Sequence, residues 1–392
     1  MNLLLASVPI TKKRSVKLPE FFWFAFAFIA VLAEVFHQKL GNYDIFTGVF
    51  WHTLHQTNLY SEYPSEYLDV NHYGPFFSII IAPFAMMPKV VGIFSWCMLN
   101  AFVLYYIINR LPLNKESKLA ILAITAIEMM TSIHNLQINP MLAGWLILAF
   151  ILTEKGKDFW ATLFIAAGFM VKLYGIAGLL FFVFSKNKLH FALSFIFWIC
   201  IMFILPMLFS SPEFIIRSYA DWWQVLIEKN TQNIHSVMQD ISLMGLIRRS
   251  FHSDSYVNET VLIFSSLTIL LPLLRFRQYK FFLYRLSYLA IALISVVILS
   301  TAAESATYVI AVCGVAIWYV IYPKNKWSTG LLIFMLLLTS LSPTDLFPSY
   351  VRDHFIRPYS LKALPCILIW IVLIKNVALT DFSKIKSSAL MQ

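Results

Sequence analysis

The chain has 392 residues, of which 59% are hydrophobic, 16% aromatic and only 13% charged, and its mean hydropathy is +0.73. A soluble domain carries roughly 25% charge, and the alternating ten-residue segments of a membrane β-barrel are not seen, so the composition predicts an all-α polytopic membrane protein. The formal net charge of +10 invites a nucleic-acid reading. The basic residues sit in short loops between apolar runs, however, so the excess reports topology, and no nucleic-acid partner is expected.

In chain order, a basic cluster (Lys12, Lys13, Arg14, Lys17) precedes an apolar run at 19–36. The basic start and the "VLA" at 31–33 fit a cleaved signal peptide, whereas the aromatic-heavy "FFWFAFAFIAVLAEVF" reads better as a retained span. Residues 76–87 are interrupted by Pro83, are followed by Pro88 and are too short to cross, which predicts an interfacial or re-entrant helix. Further spans are expected at 88–108, 119–133, 138–153, 159–171, 174–185, 190–209, 257–274, 282–300, 306–322, 328–342 and 361–379. The total is about twelve crossings of a ~30 Å core, and the break at Lys172–Gly175 reads as a broken helix.

The remaining basic clusters, at Arg110–Lys118, Lys155–Lys157, Lys186–Lys188, Arg275–Arg285, Lys324–Lys326 and Lys384–Lys386, alternate with these runs. Placing them all on the cytoplasmic side puts both termini there. Long loops at 37–75 and 210–256, and shorter ones at 134–139, 301–305 and 343–360, then fall on the outer side. Irregular backbone near a membrane persists only where protein or a watery cavity satisfies it, which predicts a covered cavity at the outer interface. No transporter-type repeat is evident, and a single domain is expected. The cysteines (Cys97, Cys200, Cys313, Cys366) are scattered one to a run and read as packing residues.

Asp44 is the first candidate for chemistry, being the only acid between Glu34 and Glu62. It reads either as the N-cap of a short helix over "IFTGVFWHTLH", burying Ile45, Phe46, Val49, Phe50 and Leu54, or as a general base for a hydroxyl. Lys172, at membrane depth, either snorkels to the interface or faces a cavity and an anionic partner. Arg248 and Arg249 suit phosphate oxygens or lipid headgroups. They diverge by about 100° on a helix, so one of the two is expected to face inward.

His134, Asn135, Gln137 and Asn139 either bond sugar hydroxyls or phosphate, or cap a helix around Pro140. Glu128 and Glu304 are intramembrane or membrane-edge acids, candidates by position, and Glu128 could equally bond a neighbouring helix. His72 and Tyr73, before Gly74–Pro75, either stack on a sugar or belong to the aromatic belt. His52 and His55 have a metal-compatible spacing but no third ligand in register, so no metal site is expected.

The order "D…NLY" from Asp44 to Tyr60, then "HYGPFFSIIIAPFAMMP", "LQINPMLAGWLILAF", "MVKLYG" and "MQDISLMGLIRR", resembles the polyprenol-phosphate-sugar-dependent glycosyltransferases of family 87, GT-C-type enzymes related to bacterial α-1,2-mannosyltransferases. The resemblance covers roughly residues 40–310. It departs from the family pattern at Leu136, where glycine commonly precedes the glutamine, at Leu173, usually proline, and around Glu304.

The resemblance implies a GT-C bundle and transfer of a mannose-like sugar at the outer face of the bacterial cytoplasmic membrane. The donor would be a polyprenyl-phosphate sugar, the acceptor a lipid or glycan, and the transfer inverting and free of cofactor or metal. Asp44 matches the catalytic Asp. Lys172, Arg248 and Arg249 would hold the donor phosphate, while Gln137, Asn139, His134, Tyr174, His72, Tyr73 and Glu304 would contact substrate. Three rival readings are weighed: an O-antigen ligase or polymerase-like enzyme relying on outer-loop Arg and His, a transporter or flippase with paired repeats and midplane charges, and a non-catalytic scaffold.

Overall fold

The computed structural model describes residues 3–11, 14–251 and 258–385. Lys12, Lys13 and Lys386 of the expected basic loops, and residues 252–257 where the second outer loop was expected to meet its following span, lie outside the described residues. Helix accounts for 76% of the structure. The chain is divided into two compact units, each visited more than once: Phe24–Ile107 with Ser132–Thr231, and Met1–Trp23 with Ile108–Thr131 and Gln232–Gln392.

Among the described residues, four helical stretches are long and apolar enough to cross a membrane: Leu18–His37, Lys89–Ile108, Lys188–Leu208 and Leu361–Leu379. Shorter apolar helices occupy Asn139–Glu154, Tyr174–Phe184, Asn258–Leu274, Phe282–Ile298, Ser305–Ile321 and Lys326–Leu341. Together with this composition they make the chain a membrane protein. Some of the short segments are not purely α-helical. Tyr174–Phe184 is an 11-residue 3₁₀ helix, and at about 2.0 Å per residue it reaches roughly 22 Å, further than an α-helix of that length. Leu336–Leu341 is a π-helical turn continuing Lys326–Met335.

In the first unit, α1 (Leu18–His37) ends at the left-handed Gln38 and α2 (Gly41–His55) starts three residues later. Next come α3 (Phe77–Ala85), interrupted by Pro83, and α4 (Lys89–Ile108). The short α3 packs on α2, with Phe46 edge-on to Phe77 and Phe77 edge-on to Trp96 at centroid distances of 5.3 and 6.0 Å. Of α5 (Lys115–His134), the residues up to Thr131 belong to the second unit and only the last turn to the first, where α6 (Asn139–Glu154) and α7 (Asp158–Lys172) follow.

The 3₁₀ helix then doubles back on α7. A Cβ at Gly175 would stand 2.1 Å from the Ile165 carbonyl oxygen, so only glycine admits this close a return. Lys172 and Tyr174 therefore sit at the tip of a helical hairpin. The unit is completed by α8 (Lys188–Ile204) and most of α9 (Pro212–His235).

The second unit begins with a hairpin, β1 (Ser7–Thr11) against β2 (Arg14–Lys17), pairing Val8 with Val16. Its helices are α10 (Leu243–Phe251), α11 (Asn258–Leu270), α12 (Phe282–Ile298), α13 (Tyr308–Ile321), α14 (Lys326–Met335), the single turn α15 (Ser349–Val351) and α16 (Leu364–Leu379). The core is the α12–α13 pair, closed by α16, and almost every residue of α12 and α13 is buried. Helices apolar all round belong inside such a bundle.

Candidate functional site

Several of the residues singled out by sequence gather into one cluster in each unit, and the others pair separately. In the first unit, the loop after α2 is pulled onto the α7 hairpin tip. The Gly74 N–H donates to the Val171 carbonyl at 3.2 Å, and a Cβ on Gly74 would meet the Met170 carbonyl oxygen at 2.1 Å. Beside it the Asn71 side chain bonds both ends of Tyr73, accepting from its N–H at 2.9 Å and donating to its carbonyl at 3.1 Å.

So fixed, the buried Tyr73 donates its hydroxyl to Gln137 Oε1 at 2.7 Å. Lys172 Nζ lies 5.5 Å from the ring centroids of both Tyr73 and Tyr174 and donates to Asn139 Oδ1 at 3.4 Å. An ammonium held over two aromatic rings and beside an amide is poised for an anion. Lys172, Tyr73, Tyr174, Gln137 and Asn139 thus form one network.

Two backbone elbows hold this network. Leu136 (φ 53°) ends α5 and Leu173 (φ 57°) ends α7, both left-handed. The Leu136 carbonyl accepts from Trp96 Nε1 at 2.8 Å. Glycine would take the Leu136 conformation without steric penalty. Proline, fixed near −65°, could not adopt the φ found at Leu173, so the departure from the pattern there is structural as well as chemical.

Asp44 makes its ion pair elsewhere. Helix α2 begins at Gly41, so Asp44 lies within the first turn and the N-cap position belongs to Leu40, which offers no side-chain cap. The N-cap expectation is corrected accordingly. The chain turns earlier than the polar signal suggested, and the carboxylate is left on the helix surface, where a negative charge suits the dipole. Leu54, expected on the buried side, is 38% exposed.

Asp44 Oδ1 pairs with Lys89 Nζ at 2.6 Å, with side-chain exposures of 26% and 51%. Lys89 was missed at the sequence level. Its signal was its isolation, because it opens the span Lys89–Ile108 alone, away from the basic clusters. His134 Nδ1 meets Glu34 Oε1 at 2.9 Å. His52 Nε2 meets Glu66 Oε2 at 3.1 Å.

His72 is largely enclosed, and its Nε2 is buried without a hydrogen-bond partner among the described residues. Burial foremost, then the charge of Lys229, pull its pKa from 6.5 down to about 4, against the opposing pull of Asp69. The ring is therefore neutral when folded, whereas the unfolded chain protonates near 6.5. The stability this contributes is complete above that pH and is lost as pH falls toward 4. The melting temperature in detergent should drop across this window, and His72→Gln should flatten the drop; superimposable profiles for the two proteins would refute the assignment.

In the second unit, Arg248 is buried and donates to Asp240, and its other terminal nitrogen reaches Asn258 Oδ1 at 2.8 Å. Arg249 donates to the carbonyls of Ser236 and Gln239 at 2.5 and 2.7 Å, to Ser360 Oγ at 2.5 Å and to the Arg357 carbonyl at 3.4 Å. Both arginines thus have protein partners, and neither is simply the outward member of a pair. Burial, outweighing the neighbouring arginines, raises the Asp240 carboxyl above its ordinary pKa and lowers that of Arg249.

Gly245 makes the Asp240–Arg248 arrangement possible, since a Cβ there would lie 1.9 Å from the Asp240 carbonyl oxygen. Glu304 caps the turn Ser305–Thr307 and accepts from Gln239 Nε2 at 3.4 Å. One residue on, Ser305 Oγ accepts from Lys362 Nζ at 3.0 Å. Lys362, also missed at the sequence level, is buried and pairs with Glu128 at 2.8 Å, so Glu128 does bond a neighbouring segment.

The family model described as Glycosyltransferase family 87 matches residues 71–343, more than half of the chain. His72, Tyr73, His134, Gln137, Asn139, Lys172, Tyr174, Arg248, Arg249 and Glu304 fall inside the matched stretch, and Asp44 precedes it. No curated protein matches the chain.

Proposed function

Since the chain belongs to glycosyltransferase family 87 and is accordingly a membrane glycosyltransferase, we propose that it moves a mannose-like monosaccharide from a polyprenyl-phosphate donor to a lipid or glycan acceptor. The reaction takes place at the outer face of a bacterial cytoplasmic membrane and inverts the anomeric centre. One observation carries this reading: the Lys172 ammonium at the hairpin tip, framed by Tyr73, Tyr174 and Asn139. A sugar–phosphate donor needs a cation where negative charge collects as the anomeric C–O bond breaks.

Asp44 accepts the proton of the acceptor hydroxyl. The hydroxyl oxygen forms the new bond to the anomeric carbon from the face opposite the phosphate, and polyprenyl phosphate leaves as the anion beside Lys172. No separate general acid is required, because a phosphate is already a stable leaving group. Phosphate binding is assigned to Lys172 ahead of Arg248 and Arg249, whose N–H groups serve Asp240, Asn258 and backbone carbonyls. Gln137, Tyr73 and Asn139 hold sugar hydroxyls and orient the lysine.

The purified protein in nanodiscs, given labelled polyprenyl-phosphate sugars, should transfer or hydrolyse at least one of them. Lys172→Met should weaken use of that donor by about 10- to 100-fold, the worth of one charge-assisted contact of ~1.5–3 kcal/mol. If no donor turns over while the wild-type protein moves a substrate gradient across vesicles, the enzyme reading fails.

A further inference from the structure

A cavity of about 450 Å³ opens where α1 ends and α2 begins, within the ~300–1,000 Å³ range of small-molecule sites. Its polar lining comes from four places in the fold: Glu34 and Lys39 at the end of α1, Asn42 on α2, Asp69 in the following loop, and His134 at the end of α5. The walls are tied together. His134 meets Glu34 at 2.9 Å, and Asn42 Nδ2 donates to the Asn135 carbonyl at 2.9 Å. Leu68, at the rim, is 97% exposed.

The charge pattern decides what such a cavity can hold. Two carboxylates face one lysine, with the imidazole already bonded to one of the acids, so a phosphate would meet like charge and is disfavoured. Carboxylate and amide oxygens at several angles, set beside the apolar Ile45 and Leu68, instead match the hydroxyl fringe and the C–H face of a neutral sugar.

Position points the same way. With about 100° between successive helix residues, Gly41, Ile45 and Asn42 span a ~100° sector of α2 facing the cavity, and Asp44 lies about 60° beyond Gly41. The base therefore borders the cavity without lining it.

We infer that this cavity is the acceptor subsite and that it takes an uncharged, polyhydroxylated glycan whose reacting hydroxyl projects past Gly41 toward Asp44. The inference rests on the glycosyltransferase reading above and gives its acceptor a chemical class. Acid groups at the far wall fix the acceptor ring, while the donor phosphate is directed to the Lys172 network.

Gly41 supplies the test, because an added Cβ there meets nothing within 4 Å. Gly41→Ala should be tolerated, and Gly41→Phe should fill the cavity from a helix position that accepts a side chain. Saturation-transfer NMR with methyl glycosides on the full chain in nanodiscs should show sugar signals for the wild type and Gly41→Ala and lose them in Gly41→Phe. Asp69→Ala should weaken binding about tenfold, the effect of roughly one contact of 1.4 kcal/mol, and inorganic phosphate should not compete.

Three results would overturn the inference: no glycoside signal in the wild type, an undiminished signal in a folded Gly41→Phe protein, or competition by phosphate. Asp44→Asn should keep the sugar signal. Failure of the base assignment and failure of the subsite are therefore read separately.

Discussion

Asp44→Asn should lower sugar transfer by about 10²- to 10⁴-fold, the usual worth of a general base, while leaving donor affinity and melting temperature close to wild type. Asparagine keeps the shape of the side chain and removes only the proton acceptor. The pair with Lys89 does not stand in the way. Both side chains are partly exposed, and such ion pairs are worth ~1 kcal/mol or less, so an arriving acceptor hydroxyl can displace the lysine.

The same magnitude limits what a purely structural Asp44 could do. A stability loss of that size would shift melting by a few degrees and leave turnover nearly intact. Transfer by Asp44→Asn within a few-fold of wild type would end the base assignment and favour the ligase-like reading, which does not depend on an early aspartate. Lys89→Met, measured alongside, should preserve turnover and free the carboxylate.

The largest effect on stability is expected at Lys362 and Glu128. Each is buried, and Lys362 Nζ also reaches Ser305 Oγ and lies 5.0 Å from the Tyr308 ring centroid. Removing one partner strands the other charge away from water, which costs about 3–5 kcal/mol. Lys362→Met and Glu128→Leu should each lower the melting temperature strongly in nanodiscs. The double variant should recover most of the loss, because it leaves no buried charge behind. A double variant as unstable as the two single losses combined would show that each residue matters through packing instead.

Hydropathy made the course of the chain legible. The run expected at 19–36 is α1, Leu18–His37, and that at 138–153 is α6, Asn139–Glu154, because burial of an apolar run depends only on its own residues. The 3₁₀ stretch Tyr174–Phe184 and the π turn Leu336–Leu341 were not legible. A shift from i+4 to i+3 or i+5 hydrogen bonding has little signature in composition.

The candidate site was legible in part. Lys172, Gln137, Asn139 and Tyr73 stood out as polar residues at the ends of apolar runs, and they do meet. Their partners across the fold did not stand out. Nothing local to "MPKVVG" or "YSLKAL" says that Lys89 meets Asp44 or that Lys362 meets Glu128, since both pairings are set by which helices pack. The cap alternative for Asp44 fails because capping propensity cannot say that the helix has already begun at Gly41.

The left-handed elbows have a further consequence for motion. Gln38, Gln56, Leu136, Leu173, Asp240 and Ser360 all have positive φ without being glycine, and all but Leu173 occur in loops the charge pattern assigns to the outer side. A glycine at such a joint swings freely. A side-chain-bearing residue is strained there relative to its αR and β conformations, so neighbouring contacts must hold it in place. The joints next to Gln137, Tyr174 and Arg248 therefore depend on the contacts around them to keep their angle. In the proposed reaction, adjustment to the donor phosphate would fall to the long, rotatable side chain of Lys172.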